Sequence, residues 1–120
     1  MSISIPAIDQ PFYYSNRQSH LMGSGSVVLS YAFKNCFDMF TEGVDIITFK
    51  NSEELRNKIE YYLNNTDELE TIRQNTLTFA NTYLTSDKVY EEIVYALRTG
   101  ESSYPFGQVI NPDNRKILDA

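Results

Sequence analysis

A chain of 120 residues that is 42% hydrophobic, with nine tyrosines and seven phenylalanines, can bury a core without disulfides or metals. It reads as one folded domain at most, not as a disordered segment. A net charge of −6 with no basic stripe speaks against nucleic acid as a partner, the single cysteine (Cys36) excludes an internal disulfide, and no apolar run approaches the roughly 20 residues of a membrane span. The opening MSISIPAIDQ lacks the basic start and apolar core of a secretory signal. The expected location is therefore the cytoplasm, the sequon Asn64-Asn65-Thr66 reads as chance, and Cys36 reads as a small buried hydrophobe.

The first predicted element is a strand at Ser2–Ile5, where polar and apolar residues alternate up to Pro6. A proline-bounded loop follows. Ser15 or Asn16 then caps a helix running through Met22, because a short side-chain oxygen satisfies the free amides of a first turn. Gly23 and Gly25 end it, as residues tolerant of positive φ. VVLS (Val27–Ser30) is a buried β-branched strand, KNCFDMF a short helix, TEG a turn, and VDIITF (Val44–Phe49) a third strand.

The remainder reads as helical. Asn51 and Glu54 have capping-box spacing, and Leu55, Ile59, Tyr62 and Leu63 then recur on one face. Leu69, Ile72, Thr76, Phe79 and Tyr83 form a second stripe behind an acidic first turn, Asp67, Glu68 and Glu70. A last helix is expected to start at a Ser86 cap, to turn Val89, Tyr90, Ile93, Val94 and Leu97 inward, and to stop at Gly100. Residues 101–120 are polar and turn-rich, a tail or a crossover segment. Strands separated by helices imply βαβ units and a parallel sheet, so the fold class is α/β. About three parallel strands with flanking helices and a helical C-terminal end amount to a partial Rossmann-like domain, since a complete doubly wound one has about twice as many strands.

The chemistry concentrates in YYSNRQSHLMGSGSVVLS, Tyr13–Ser30. Free amides at a helix N-terminus beside the Arg17 guanidinium suit a diphosphate, although on the residues alone Ser15 and Asn16 acting as plain caps with Arg17 solvated is the plainer reading. Gly23 and Gly25 could admit a ligand to the backbone, but ending a helix is sufficient reason for both. GSGS precedes a strand and lacks the Lys-Ser/Thr of a Walker loop. Thr41, Glu42 and Gly43 read as a turn, and the tyrosines of the helices as amphipathic packing residues. No metal-ligand cluster and no Ser-His-Asp or Cys-His arrangement stands out.

The order YYSNR, LMGSGSVVL, MFTEGVDIITFKNSEELRNKIEYYLNN resembles the C-terminal part of a GT-B glycosyltransferase, with the spore-maturation CgeB-like family nearest, over roughly residues 3–97. The resemblance implies a nucleotide-sugar donor and no other cofactor. It carries Ser15, Asn16 and Arg17 onto the family's helix-opening motif and places His20, Gly23 and Gly25 beside the donor. At His20 the family commonly has a glutamate that accepts the ribose hydroxyls, and many retaining members have a second glutamate eight positions earlier, here Phe12. Neutral imidazole offers one acceptor and one donor where a carboxylate offers two accepting oxygens, so His20 stands between a weak substitute and a structural residue. Residues 1–100 are then the C-terminal part of a GT-B domain, with no catalytic residue identified and inactive in isolation. It would need a separate N-terminal half, or would associate with itself through an exposed strand edge. The alternatives are a non-catalytic nucleotide-binding or assembly module, and a truncated remnant.

Overall fold

The computed structural model describes residues 1–5, 16–34 and 36–105. Strands β1 (Ser2–Ser4), β2 (Val28–Tyr31) and β3 (Ile47–Phe49) lie parallel in the order β1-β2-β3, with Ser2 opposite Val28 and Leu29 opposite Ile47. Helix α1 (Asn16–Gly23) connects the first pair and the short α2 (Cys36–Met39) the second. Helices α3 (Ser52–Asn64) and α4 (Thr66–Phe79) follow, α4 running into a π-helical turn at Ala80–Leu84, and α5 (Ser86–Thr99) comes last. The expected α/β fold of three parallel strands with flanking helices is what forms. Residues Met1–Leu84 make one compact unit and the chain from Thr85 a second.

Alternation along the strands gives the sheet two apolar faces. Val28 and Ile46 point to one face, where Met22 of α1, Cys36 and Phe40 around α2, Phe33 and Ala80 enclose them. Val27, Leu29, Ile47 and Phe49 point to the other, against Tyr62 of α3 and Ile72 of α4, with Leu55, Ile59 and Leu69 at the margin. Val28, Leu29, Ile46 and Ile47 are fully buried, each contributing about 1.5–3 kcal/mol. The helical stripes read from α3 and α4 are the covering surfaces, and Thr76 belongs in its stripe because its hydroxyl donates to the Asp45 carbonyl at 3.0 Å.

Several boundaries fall elsewhere than expected, each for a local reason. Of the two glycines expected to end α1, Gly25 (φ 79°) takes the left-handed conformation and Gly23 does not. The Ser26 amide donates to Leu21 O at 3.0 Å and the Gly25 amide to Met22 O at 3.1 Å, the paired bonds of a Schellman motif, so Gly23 still lies inside α1. The third strand begins at Ile47 rather than Val44. Gly43 (φ 72°) donates to Ile46 O at 2.8 Å and the Thr41 amide to Asp45 Oδ1 at 2.7 Å, which folds residues 41–45 into a turn. The second strand is shifted by one residue, ending at Tyr31.

The Asn51 cap forms as read, its Oδ1 accepting from the Glu54 amide at 2.8 Å, while Glu54 reaches back to the Lys50 amide at 3.0 Å. Leu63, expected inward, is 59% exposed next to the α3–α4 turn. In the second unit the cap of α5 is Thr85, which accepts from the Lys88 amide, and Ser86 is the first helical residue. The stripe Val89, Tyr90, Ile93, Val94 and Leu97 is 41–83% exposed, not inward. Among the described residues this unit supplies only α5 and the turn behind it, where the Ser102 and Ser103 hydroxyls donate to the Glu92 carboxylate, and nothing there lies across the apolar stripe.

Candidate functional site

Parallel strands all end on the same side of their sheet, and ligands of such folds collect outside those carboxyl ends. A helix that returns from one parallel strand to the next runs back along the sheet, so its N-terminus opens at that side. For α1 this brings Asn16 and Arg17 to the carboxyl ends of β1 and β2. An inward anchor holds the turn there: Gln18 is 1% exposed, and its Oε1 accepts from the Ser30 hydroxyl at 3.3 Å near the end of β2. The same hydroxyl contacts Tyr31 O at 3.1 Å. Gln18 Nε2 is buried and has no hydrogen-bond partner among the described residues; a buried amide left so costs about 1–3 kcal/mol.

With Gln18 facing inward, Arg17 and His20 are exposed and lie three residues apart on neighbouring positions of the outer face. The first turn of α1 contains no acidic residue, whereas α2 through α5 each carry Asp or Glu there. The first turn of α1 thus sets the Arg17 guanidinium beside the positive end of the helix dipole and contributes no carboxylate of its own, an arrangement that favours an anion. His20 is exposed and so fills no core space. Ser15 and Phe12 lie outside the described residues. Gly23 and Gly25 sit at the opposite end of α1, roughly 10 Å from Asn16 at 1.5 Å per residue, where the chain enters β2. An added Cβ on Gly25 would lie 3.2 Å from Arg73 Nη1, so the close approach at that glycine is to a side chain of α4.

Two clusters escape a reading of the sequence. Glu42, Thr48, Lys58 and Glu54 form one at β3, with Lys58 Nζ 2.7 Å from Glu42 Oε1 and 3.5 Å from Glu54 Oε1. Partial burial works against the Lys58 charge, but the hydrogen bond and charge of Glu42, followed by Glu54, outweigh it and hold the ammonium above its ordinary pKa. No short-range pattern links residues 42, 48 and 58, so only the fold assembles them. The second cluster is the Gln18–Ser30 pair, whose one signal is that Gln18 stands four residues before the inward Met22. Two concavities among the described residues are open grooves on helix surfaces, one of about 590 Å³ along α5 and one of about 480 Å³ along α3, and neither is lined by Arg17 or His20. No group of three His, Cys, Asp or Glu able to hold a metal occurs among the described residues.

Cys36 matches its reading as a buried hydrophobe. Burial first, then the Glu42 charge, raises its pKa to about 12. Because the folded value is raised, the thiol's contribution to stability is complete below the unfolded value of about 8.5 and is lost as pH rises toward the folded one. Alkylation of native protein at pH 8 is expected to run more than roughly a hundredfold slower than in denaturant, since only the thiolate reacts. Equal rates in the two states would show that Cys36 is open to solvent.

The family model described as Glycosyl transferase-like matches residues 1–95. The fold is similar to the crystal structure of Anabaena Alr3699/HepE in complex with UDP-glucose, with a TM-score of 0.67 and 18% sequence identity. The match covers 81% of this chain and 27% of that one, so this chain spans about a quarter of the length of the protein it resembles. At that identity the likeness concerns the fold. No curated protein matches the chain.

Proposed function

This chain belongs to the glycosyl transferase-like family, and we propose that it is the donor-holding part of a nucleotide-sugar-dependent glycosyltransferase of GT-B type, related to the CgeB-like enzymes. The observation that carries the reading is the first turn of α1: an acid-free helix start with Arg17 and His20 exposed beside it, at the carboxyl end of a parallel sheet. In this reading the α1 amides and Arg17 take the donor diphosphate, Ser15 and Asn16 belong to the same binding motif, and His20 lies toward the ribose. Glycosyl transfer breaks the bond between the sugar and the diphosphate, so negative charge grows on the diphosphate as the sugar leaves. Fixed amides and a guanidinium stabilise that charge better than reorganising water does. Gly23 and Gly25 serve the reading only by ending α1 so that Arg17 is correctly placed. A reducing, cytoplasmic setting belongs to the same reading, supported by the lone buried thiol.

The catalytic unit in this proposal includes chain beyond these residues, which supplies the acceptor side and the general base. A non-catalytic nucleotide-binding module is the second reading, favoured by one observation: His20 stands where the resembled enzymes commonly place a glutamate. Calorimetric titration with UDP, GDP, UMP and UDP-glucose tests both. Binding of a nucleoside diphosphate, with UMP weaker because it lacks the second phosphate, is expected. Heat changes absent for every nucleotide at millimolar concentration would refute the donor site. Binding without sugar transfer, after the missing half is supplied, would select the second reading.

A further inference from the structure

Helix α1 buries two side chains one turn apart, Gln18 and Met22, which are 1% and 0% exposed. A spacing of four residues sets both on one face of the helix, so position 18 is a core position by periodicity. The sequence supplies a glutamine there, where an apolar residue would be enclosed as Met22 is. Met22 lies in an apolar cluster with Val28, Phe33 and Phe40. Of Arg17 to His20, only Gln18 is buried. The start of α1 is thus held inward by a polar group.

That arrangement costs stability. Ser30 is fully buried, and its hydroxyl lies 3.3 Å from Gln18 Oε1 and 3.1 Å from Tyr31 O. A hydroxyl has one hydrogen, so the two acceptors share it. Gln18 Nε2 has no partner among the described residues. An apolar side chain of similar length would be enclosed without either penalty. What the carboxamide adds is direction. Apolar contacts keep much of their energy when a helix slides along the face it covers, and cores repacked with them lose uniqueness before stability. A hydrogen bond to one strand residue fixes one position of the turn.

We propose, resting on the reading of α1 as the diphosphate site, that Gln18 is a positioning residue for that site. It ties the first turn of α1 to Ser30 and so fixes the amides of that turn and the backbone of Arg17, at the expense of stability. Gln18 itself touches no ligand, being enclosed. Its effect reaches the ligand through its neighbours, because a charge-assisted bond of roughly 2.8 Å is lost when the turn moves by about 1 Å. The groups it places meet phosphate, so UDP and inorganic pyrophosphate depend on it equally.

Gln18→Met keeps the length of the side chain and removes the carboxamide. Its melting temperature is expected to equal or exceed the parent's, while calorimetry shows the Kd for UDP and for pyrophosphate each raised by roughly three- to tenfold, the worth of one net hydrogen bond. Ser30→Ala removes the other partner, and the double variant is expected to bind no worse than the weaker single one, because both changes remove one bond. Amide hydrogen exchange of the ligand-free chain adds a readout that needs no ligand. The His20 and Leu21 amides, which by helix geometry close the first turn onto Asn16 and Arg17, should exchange several-fold faster in Gln18→Met. Unchanged affinity in Gln18→Met, where Arg17→Ala weakens binding, overturns the proposal and leaves the diphosphate site standing. Unchanged exchange, additive losses in the double variant, or a fall in melting temperature that matches the loss of affinity also overturns it. A parent chain that binds neither UDP nor pyrophosphate overturns the site and the proposal together.

Discussion

Phe40→Ala is expected to destabilise the first unit by about 3–5 kcal/mol, enough to lower its melting temperature by more than about 12 °C. Phe40 is 2% exposed and sits where three parts of the fold meet. Its ring is edge-on to Phe33 at 6.5 Å and tilted against Phe79 of α4 at 5.1 Å. Around it are Met22 of α1, Cys36 of α2, Ile46 ahead of β3 and Ala80 of the π-helical turn. Truncation would leave a void between rigid neighbours, because the sheet on one side and α4 on the other cannot both move in. A small domain has a net stability of only about 5–15 kcal/mol, so the variant should be partly unfolded at 37 °C. Phe40→Leu keeps most of the volume and should cost less than half as much. Thermal denaturation followed by circular dichroism measures both. A loss below about 1 kcal/mol for Phe40→Ala would mean that the Phe33–Phe40–Phe79 cluster is not packed as the structure has it.

The parallel sheet and its covering helices were legible because their signals are local. Uninterrupted apolar stretches around Leu29 and Ile47 read as buried strands, and the stripe ending at Tyr62 read as a buried helix face. The exact limits were less legible, since they depend on single hydrogen bonds: Asp45 bonding the Thr41 amide ends a turn, and Thr85 rather than Ser86 caps α5. The α5 stripe shows the limit of periodicity. Spacing announces that Val89, Ile93 and Leu97 share a face, but it carries no information on whether another element covers that face, and these residues are exposed. For the candidate site, residue types at a helix start pointed to Arg17 and His20, and the structure places both on the exposed side of α1. Gln18 gives no such signal, because a polar residue between them reads as surface. Its burial follows from Met22, one turn on, being drawn into the core. The Glu42–Thr48–Lys58 cluster was beyond sequence reasoning, because it joins a turn, a strand and a helix that only the finished fold brings together.

If a nucleoside diphosphate binds this chain, Arg17→Ala is expected to weaken it by about 1.5–3 kcal/mol, a ten- to more than hundredfold rise in Kd. The range is that of hydrogen bonds to charged groups, and a guanidinium on a diphosphate is both charge-assisted and capable of two parallel bonds. Arg17→Lys should recover only part of the loss, because an ammonium keeps the charge and gives up the fork. Arg17 is exposed, so the fold should tolerate either change and melting temperatures should stay close to the parent. That separates a binding role from a structural one. His20 gives the companion measurement. His20→Glu introduces a two-oxygen acceptor one turn from Arg17, and it should tighten a ribose-bearing ligand while leaving inorganic pyrophosphate unaffected or slightly weakened by the added charge. Calorimetry with UDP and with pyrophosphate on the three variants resolves the two roles. Unchanged UDP affinity in Arg17→Ala would remove the α1 turn as the diphosphate site. A His20→Glu variant that weakens UDP and pyrophosphate equally would show that position 20 senses only charge and makes no contact with the ribose.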